Sequence, residues 1–321
     1  MKKILSIAAV FALMFTAVSC EKDNVSANEA VSFNVVVPAQ PVTRAMMSDG
    51  TTADELIYEV YVGNELMYEG TVGALEALTA QGYRQFSFDL QLVKGQKYDI
   101  LFWAQKKGTG YYNTSDLRSV GTDYSGALAN DEARDAFYGS LVQYEVSDGD
   151  KTVNLSRPFA QINCAITASD YNTVAPFITG GLKSKYVLSE ASTMFNVYTG
   201  DVIDGYSASD IAFGYNLSPV SENNYTNDVI SINGTDYKWV AMAYVFAPAA
   251  GKSINLTAEF VHDKNDAATS IMVPVSSVPV KRNYKTNIFG QMLSEINNMS
   301  IVVVPGFVNN NNEDDNFNIN N

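Results

Sequence analysis

Few residues in this 321-residue chain have the type and spacing that reaction chemistry demands. His262 is the sole histidine, and it stands in the polar run His262-Asp263-Lys264-Asn265-Asp266, which reads as a loop between two strands. One imidazole excludes a histidine-based metal cluster, and a Ser-His-Asp triad would have to recruit this single loop residue. The Asp-rich stretches Asp201 to Asp210 and Asn309 to Asp315 carry the oxygen ligands that calcium takes, but neither has EF-hand spacing, and both read as solvated turns. Glycoside hydrolysis needs two carboxylates across a sugar bond, and nothing marks such a pair. Trp103 lies in an apolar run and reads as core, whereas Tyr111 and Tyr112 fall in a polar loop where aromatic rings could stack on a sugar. Arg134-Asp135 and Arg157 read as structural ion pairs. The expectation is a protein that is not an enzyme, with no catalytic residue, no metal and no cofactor.

The remaining chemistry is that of thiols. Met1-Lys2-Lys3 is a basic n-region, and Ile4 to Val18 is uncharged, too short for a stable membrane span. It ends in Thr16-Ala17-Val18-Ser19-Cys20, which resembles the lipobox of bacterial lipoproteins, with Val18 where leucine is commonest. The resemblance implies cleavage between Ser19 and Cys20, diacylation of the Cys20 thiol and acylation of its new amine. Each buried CH₂ contributes about 0.8 kcal/mol, so two or three chains anchor a protein that one chain holds only marginally. Residues 1–19 are thus expected to be a signal peptide and 20–30 a flexible tether. Within the tether, Glu21-Lys22-Asp23 resembles the signal that sends lipoproteins of Bacteroidetes to the outer face of the outer membrane. Cys164 is then left alone, which excludes an intrachain disulfide, and its alternating surroundings make it a buried apolar thiol.

Charge narrows the partners. The 21 lysines and arginines fall to 19 when Lys2 and Lys3 leave with the signal, against 35 acidic residues, a formal charge of −16. That argues against nucleic acid and anionic membranes as partners.

The elements that must position these residues are strands. Val31–Val37, Leu56–Val62, Arg84–Leu92, Tyr98–Ala104, Val153–Leu155, Lys185–Leu188, Trp239–Phe246, Ser253–Phe260 and Ser270–Val275 alternate or run apolar, with Gly, Asn and Asp turns between them. Asn130–Tyr138 predicts a helical turn with Asn130 as its cap, and Tyr171–Ile178 a helix of one or two turns. Many short strands predict an all-β sandwich or barrel. A boundary near Arg157-Pro158 divides residues 31–157 from 158–308, and the period-free stretch 309–321 reads as a disordered Asn/Asp-rich tail. Ala160–Ile166 can belong to either sheet.

Several segments resemble the fimbrillin-like lipoproteins of Bacteroidetes: Phe33 to Pro38 followed by Thr43-Arg44-Ala45, Asp54 to Tyr61, Leu101-Phe102-Trp103-Ala104-Gln105, Arg157 to Asn163, and Val280 to Gly290. The Phe-Trp-Ala-Gln segment and Asn130 to Tyr138 are most similar to a branch described only as a domain of unknown function. The likeness spans most of residues 31 to 308, and its motifs are structural. It implies two tandem antiparallel β-sandwiches of transthyretin-like topology, and a role in adhesion or pilus assembly at the outer membrane. In polymerising members an arginine-specific protease cuts after an arginine that follows the first strand, and a strand of the next subunit fills the vacated groove. Arg44 and Ala45 match that position. Pro305-Gly306 and the Asn-rich tail depart from a strand suited to donation. The implied partners are other fimbrial subunits joined by β-strand addition; the alternative is a glycan-binding lipoprotein of a polysaccharide-uptake system, with Tyr111 and Tyr112 as contacts.

Overall fold

The computed structural model describes residues 28–37, 50–75, 79, 83–146, 149–178, 180–219, 229–232, 234–262, 270–294 and 297–305. Ser19, Cys20, Arg44, Ala45 and the 309–321 tail lie outside the described residues.

The first half runs β1 (Asn28–Val37), β2 (Glu55–Val62), β3 (Glu65–Gly73), β4 (Arg84–Val93), β5 (Lys97–Gln105), β6 (Tyr112–Asn113), β7 (Val120–Thr122), β8 (Phe137–Glu145) and β9 (Lys151–Asn154). The second runs β10 (Phe159–Thr167), α1 (Ala168–Val174), β11 (Lys183–Ser192), β12 (Met194–Asn196), β13 (Asp201–Val202), β14 (Ser207–Ala212), β15 (Asn216–Leu217), β16 (Val229–Ile232), β17 (Thr235–Phe246), β18 (Lys252–Val261), β19 (Ile271–Val280), β20 (Tyr284–Gln291) and β21 (Asn297–Pro305). The fold is all-β.

Period-two patterning explains the first half. Sheet β4-β1-β9 faces sheet β3-β2-β5-β8. Val31, Phe33, Val35 and Val37 of β1 meet Phe86, Leu90 and Leu92 of β4 and Leu56, Val60, Ile100 and Phe102 of the opposite sheet, all buried. The β2–β3 hairpin closes over the two residues Gly63-Asn64, with Gly63 at φ +61°, the left-handed first position that glycine fills without strain. Strand β5 is apolar nearly throughout because both its faces are covered, one by this core and one by the second half.

The second half is one sheet bent on itself, in the order β19-β18-β11-β17-β10-β20-β21, with β14 and β15 along β11 and β16 along β17. Strands β11 and β17 meet at the single register pair Ser192–Phe246, where one layer turns into the other. Strand β10 pairs antiparallel with β17 and parallel with β20, so the segment Ala160–Ile166 belongs to this sheet. Cys164 is buried in it, and burial pushes its thiol up to about 12. Asp170, at the start of α1, accepts hydrogen bonds from the backbone N–H groups of Met292, Leu293 and Ser294 at 2.6, 3.0 and 2.8 Å, fixing the turn that follows β20.

The segment between β5 and β8 stitches the halves together. Strands β6 and β7 pair in one small sheet with β12 and β13 of the second half. Behind it lies a shared aromatic core: Trp103, Tyr112 and Leu117 from one side, and Phe159, Phe195, Tyr244 and Phe246 from the other. The Trp103 ring stands edge-on to Tyr112 at 5.3 Å and to Phe246 at 6.3 Å, and Phe159 stacks on Phe246 at 5.1 Å. The helical turn expected after Asn130 is a 3₁₀ turn, Glu132–Arg134, and its cap is Asp131, whose carboxylate accepts from the Ala133 N–H at 3.0 Å. Asn130 instead adopts φ +56° and spends its side chain across the halves, accepting from the Met242 N–H at 2.7 Å and donating to Ser184 Oγ at 2.8 Å. Tertiary hydrogen bonds outweighed local capping preference. Asp135 and Arg157 form a fully buried two-pronged pair, Nε and Nη2 donating at 2.7 and 2.6 Å. Beside them Lys285 of β20 is almost completely buried, and that desolvation, helped by the Arg157 charge, lowers its ammonium to about 7.

Two outcomes are expected. Trp103→Ala empties the shared core and costs about 3–5 kcal/mol, read as a lower denaturant midpoint in equilibrium unfolding. Lys285 binds its proton less tightly in the fold than in the unfolded chain, so its charging penalises the native state fully below pH 7, and stability rises as pH climbs from about 7 toward the ordinary lysine range near 10.4. Lys285→Met should therefore stabilise the protein at neutral pH, with the difference from wild type shrinking between pH 7 and 10.

Candidate functional site

Two features of the first half are candidate binding sites. The first is the seat of β1. This strand pairs antiparallel with β4 along ten residues, Asn28–Val93 to Val37–Arg84, and parallel with β9 from Phe33–Lys151 to Val36–Asn154. It is thus a central strand formed by the first described residues of the chain. Its four inward side chains each contribute about 1.5–3 kcal/mol of burial. The outward polar groups register it: Ser32 Oγ donates to Asp89 Oδ1 at 2.6 Å, and Gln85 Nε2 and Ser87 Oγ donate to Asn34 Oδ1 at 3.0 and 2.7 Å. A slip of one residue would turn the apolar face of β1 to water.

The second feature is an open cleft of about 590 Å³ where the loop before β6 meets the segment after β7. Gly110, Gly121 and Gly126 form part of its wall, with Tyr111, Asp123, Asp131 and Arg134 around them. Tyr111 donates its hydroxyl to Asp131 Oδ2 at 2.6 Å, and this bond, with partial burial, raises the phenol above its ordinary range. The guanidinium of Arg134 lies 4.7 Å from the Tyr111 ring centroid, with Tyr124 and Tyr112 at 5.8 and 5.9 Å.

The other sequence candidates divide plainly. Tyr112, expected in a polar loop beside Tyr111, is only 8% exposed and belongs to the shared core; burial drives its phenol far above the ordinary range. Tyr112, the first residue of β6, reaches the Trp103 ring, whereas Tyr111, just before the strand, packs only partly on that core and also lines the cleft. The two tyrosines therefore form no exposed stacking pair. Trp103 is buried, as its apolar run predicts, with Nε1 donating to Gln105 at 3.0 Å. His262 follows β18, and its ring sits 5.7 Å from that of Phe177. Asp201 is spent structurally, its carboxylate accepting from the Ala249 N–H at 2.9 Å. Among the described residues no group of three His, Cys, Asp or Glu side chains could hold a metal ion, and no helix is long and apolar enough to cross a membrane. Arg134 is what sequence reasoning missed as a cleft residue, because an arginine beside an aspartate reads as a pair, whereas Asp135 turns to Arg157 instead.

No curated protein matches the chain. Among solved structures, a candidate cell adhesion protein from Bacteroides ovatus is 11% identical with a TM-score of 0.48, the match covering 88% of this chain and 99% of that one. A candidate polysaccharide-binding protein from Bacteroides thetaiotaomicron is 11% identical with a TM-score of 0.47, covering 89% and 99%. A fimbrial anchor protein from Porphyromonas gingivalis is 10% identical with a TM-score of 0.37, covering 85% and 97%. A family model matches residues 22–320, and the chain therefore belongs to the family described as a family of unknown function, DUF6562.

Proposed function

We propose that this protein is a lipid-anchored, non-enzymatic surface protein of the outer membrane that acts in adhesion or fimbrial assembly through strand-edge contacts. The observation that carries this reading is β1: a central strand, paired on both sides, whose removal would leave β4 and β9 with unpaired backbone groups and open a slot lined by Phe86, Leu90, Leu92 and Phe102. Unpaired N–H and C=O groups beside an apolar trough take up an extended partner strand, with backbone bonds supplying affinity and alternate pockets supplying register. Val37 ends β1 seven residues before Arg44, so a cut at Arg44–Ala45 spares every residue of the strand and severs it from the rest of the fold. The lipid on Cys20 would leave with β1. An uncut chain stays anchored as a solitary adhesin or an assembly base.

Two measurements test the reading. Mass spectrometry of the protein from its native envelope should find an acylated N-terminus at Cys20, and Cys20→Ala should shift the chain from the membrane to the soluble fraction. Limited digestion of the purified protein with an arginine-specific protease should yield a new start at Ala45, followed by higher-order species on native gels. A chain that stays intact and monomeric removes polymerisation and leaves the solitary adhesin. A native-envelope chain with an unacylated Cys20 removes the anchor.

A further inference from the structure

Two buried arginines in the first half and its linker are treated very differently. Arg157 has its charge met by Asp135 on two nitrogens. Arg134, 3% exposed, makes one side-chain hydrogen bond, from Nη2 to Thr122 Oγ1 at 3.1 Å, and its Nε has no partner. Among the described residues no carboxylate lies within ion-pair distance of it, and Asp131 is already held by the Tyr111 hydroxyl and the Ala133 N–H. The Tyr111, Tyr124 and Tyr112 rings offset part of the cost of taking this guanidinium out of water, but they leave its Nε–H unmet, and its planar fork is shaped for a carboxylate.

We propose that the Arg134 cleft binds an acidic saccharide, with the sugar's carboxylate on the Arg134 guanidinium and its hydroxyls on the rim. The rim is built for hydroxyls. Asp123 uses Oδ1 to accept from the Ser125 N–H at 2.7 Å and keeps Oδ2 open, and Asn113 likewise uses Oδ1 on the Ser115 N–H at 3.2 Å and keeps its amide donors. A Cβ added at Gly110 or Gly126 would meet nothing within 4 Å, so a ligand can rest against bare backbone there. The apolar side chains of the lining are Ala127 and Leu128, beside the Tyr111 ring, and they give a sugar's apolar face a surface to rest on. The volume of about 590 Å³ suits a polar ligand of two or three sugar rings. Asp123 and Asp131 repel a compact dianion such as sulfate, which leaves a singly charged carboxylate as the anion the cleft accepts. This inference rests on the cleft alone and stands whether or not β1 exchanges.

The test is calorimetric titration of the full chain with aldotriouronate (one glucuronate on two neutral xylose rings), with its methyl ester, and with a short acidic peptide. Binding of aldotriouronate is expected, at least tenfold weaker for the ester, weak or absent for the peptide, and at least tenfold weaker again in Arg134→Gln. Because Arg134 is buried, Ser125→Trp supplies a second variant that fills the exposed rim without touching the core; it should abolish binding while leaving the unfolding midpoint unchanged. No binding of aldotriouronate, equal binding of ester or peptide, or binding that survives both variants would overturn the proposal.

Discussion

The contact on which the rest of the molecule depends is the aromatic core shared by the two halves. Trp103, Tyr112 and Leu117 cannot be buried by the first sandwich, because the other face of β5 already fills it with Ile100 and Phe102. Phe159, Phe195 and Phe246 stand equally unburied without the first half. Each half therefore completes the other, and burial of several large aromatic rings outweighs the entropy of ordering the long segment from Tyr111 to Ala136. The Asp135–Arg157 pair and the Asn130 bonds then fix orientation: they add specificity to a contact whose energy comes from the rings.

Both binding features follow from that arrangement. The cleft exists because Tyr112 is pulled inward to Trp103, leaving Tyr111 and Arg134 at the edge of the stitched segment. The β1 seat lies in the sheet on the far side of the first core, and among the described residues its layer pairs with no strand of the second half. Under the proposed exchange of β1, only β4, β9 and the inner face of the opposite sheet would have to tolerate the change, while the shared core holds the remaining strands.

Much of this was legible in the residues. The alternation of Phe86, Phe88, Leu90 and Leu92 marked β4 and its inward face, and the nearly all-apolar run of β5 marked a central strand. What the sequence hid was decided by distant partners. Asn130 looked like a cap and became a cross-link, because Met242 and Ser184 offered its amide better bonds than its own turn. Tyr111 and Tyr112 looked equivalent, and only the strand pairing of β6 with β7 separates them. Arg134 looked paired with its neighbour, and its isolation appears once Asp135 is seen to face Arg157.

The claim that the halves form one cooperative body is open to a direct measurement, native-state hydrogen exchange read strand by strand across a denaturant series. If the shared aromatic core governs the fold, the slowest amides of β2 and β5 in the first half and of β10 and β17 in the second will merge into a single global opening with one free energy and one denaturant dependence. Two separate openings, with β2 and β5 exchanging through a partial unfolding that leaves β10 and β17 protected, would contradict it.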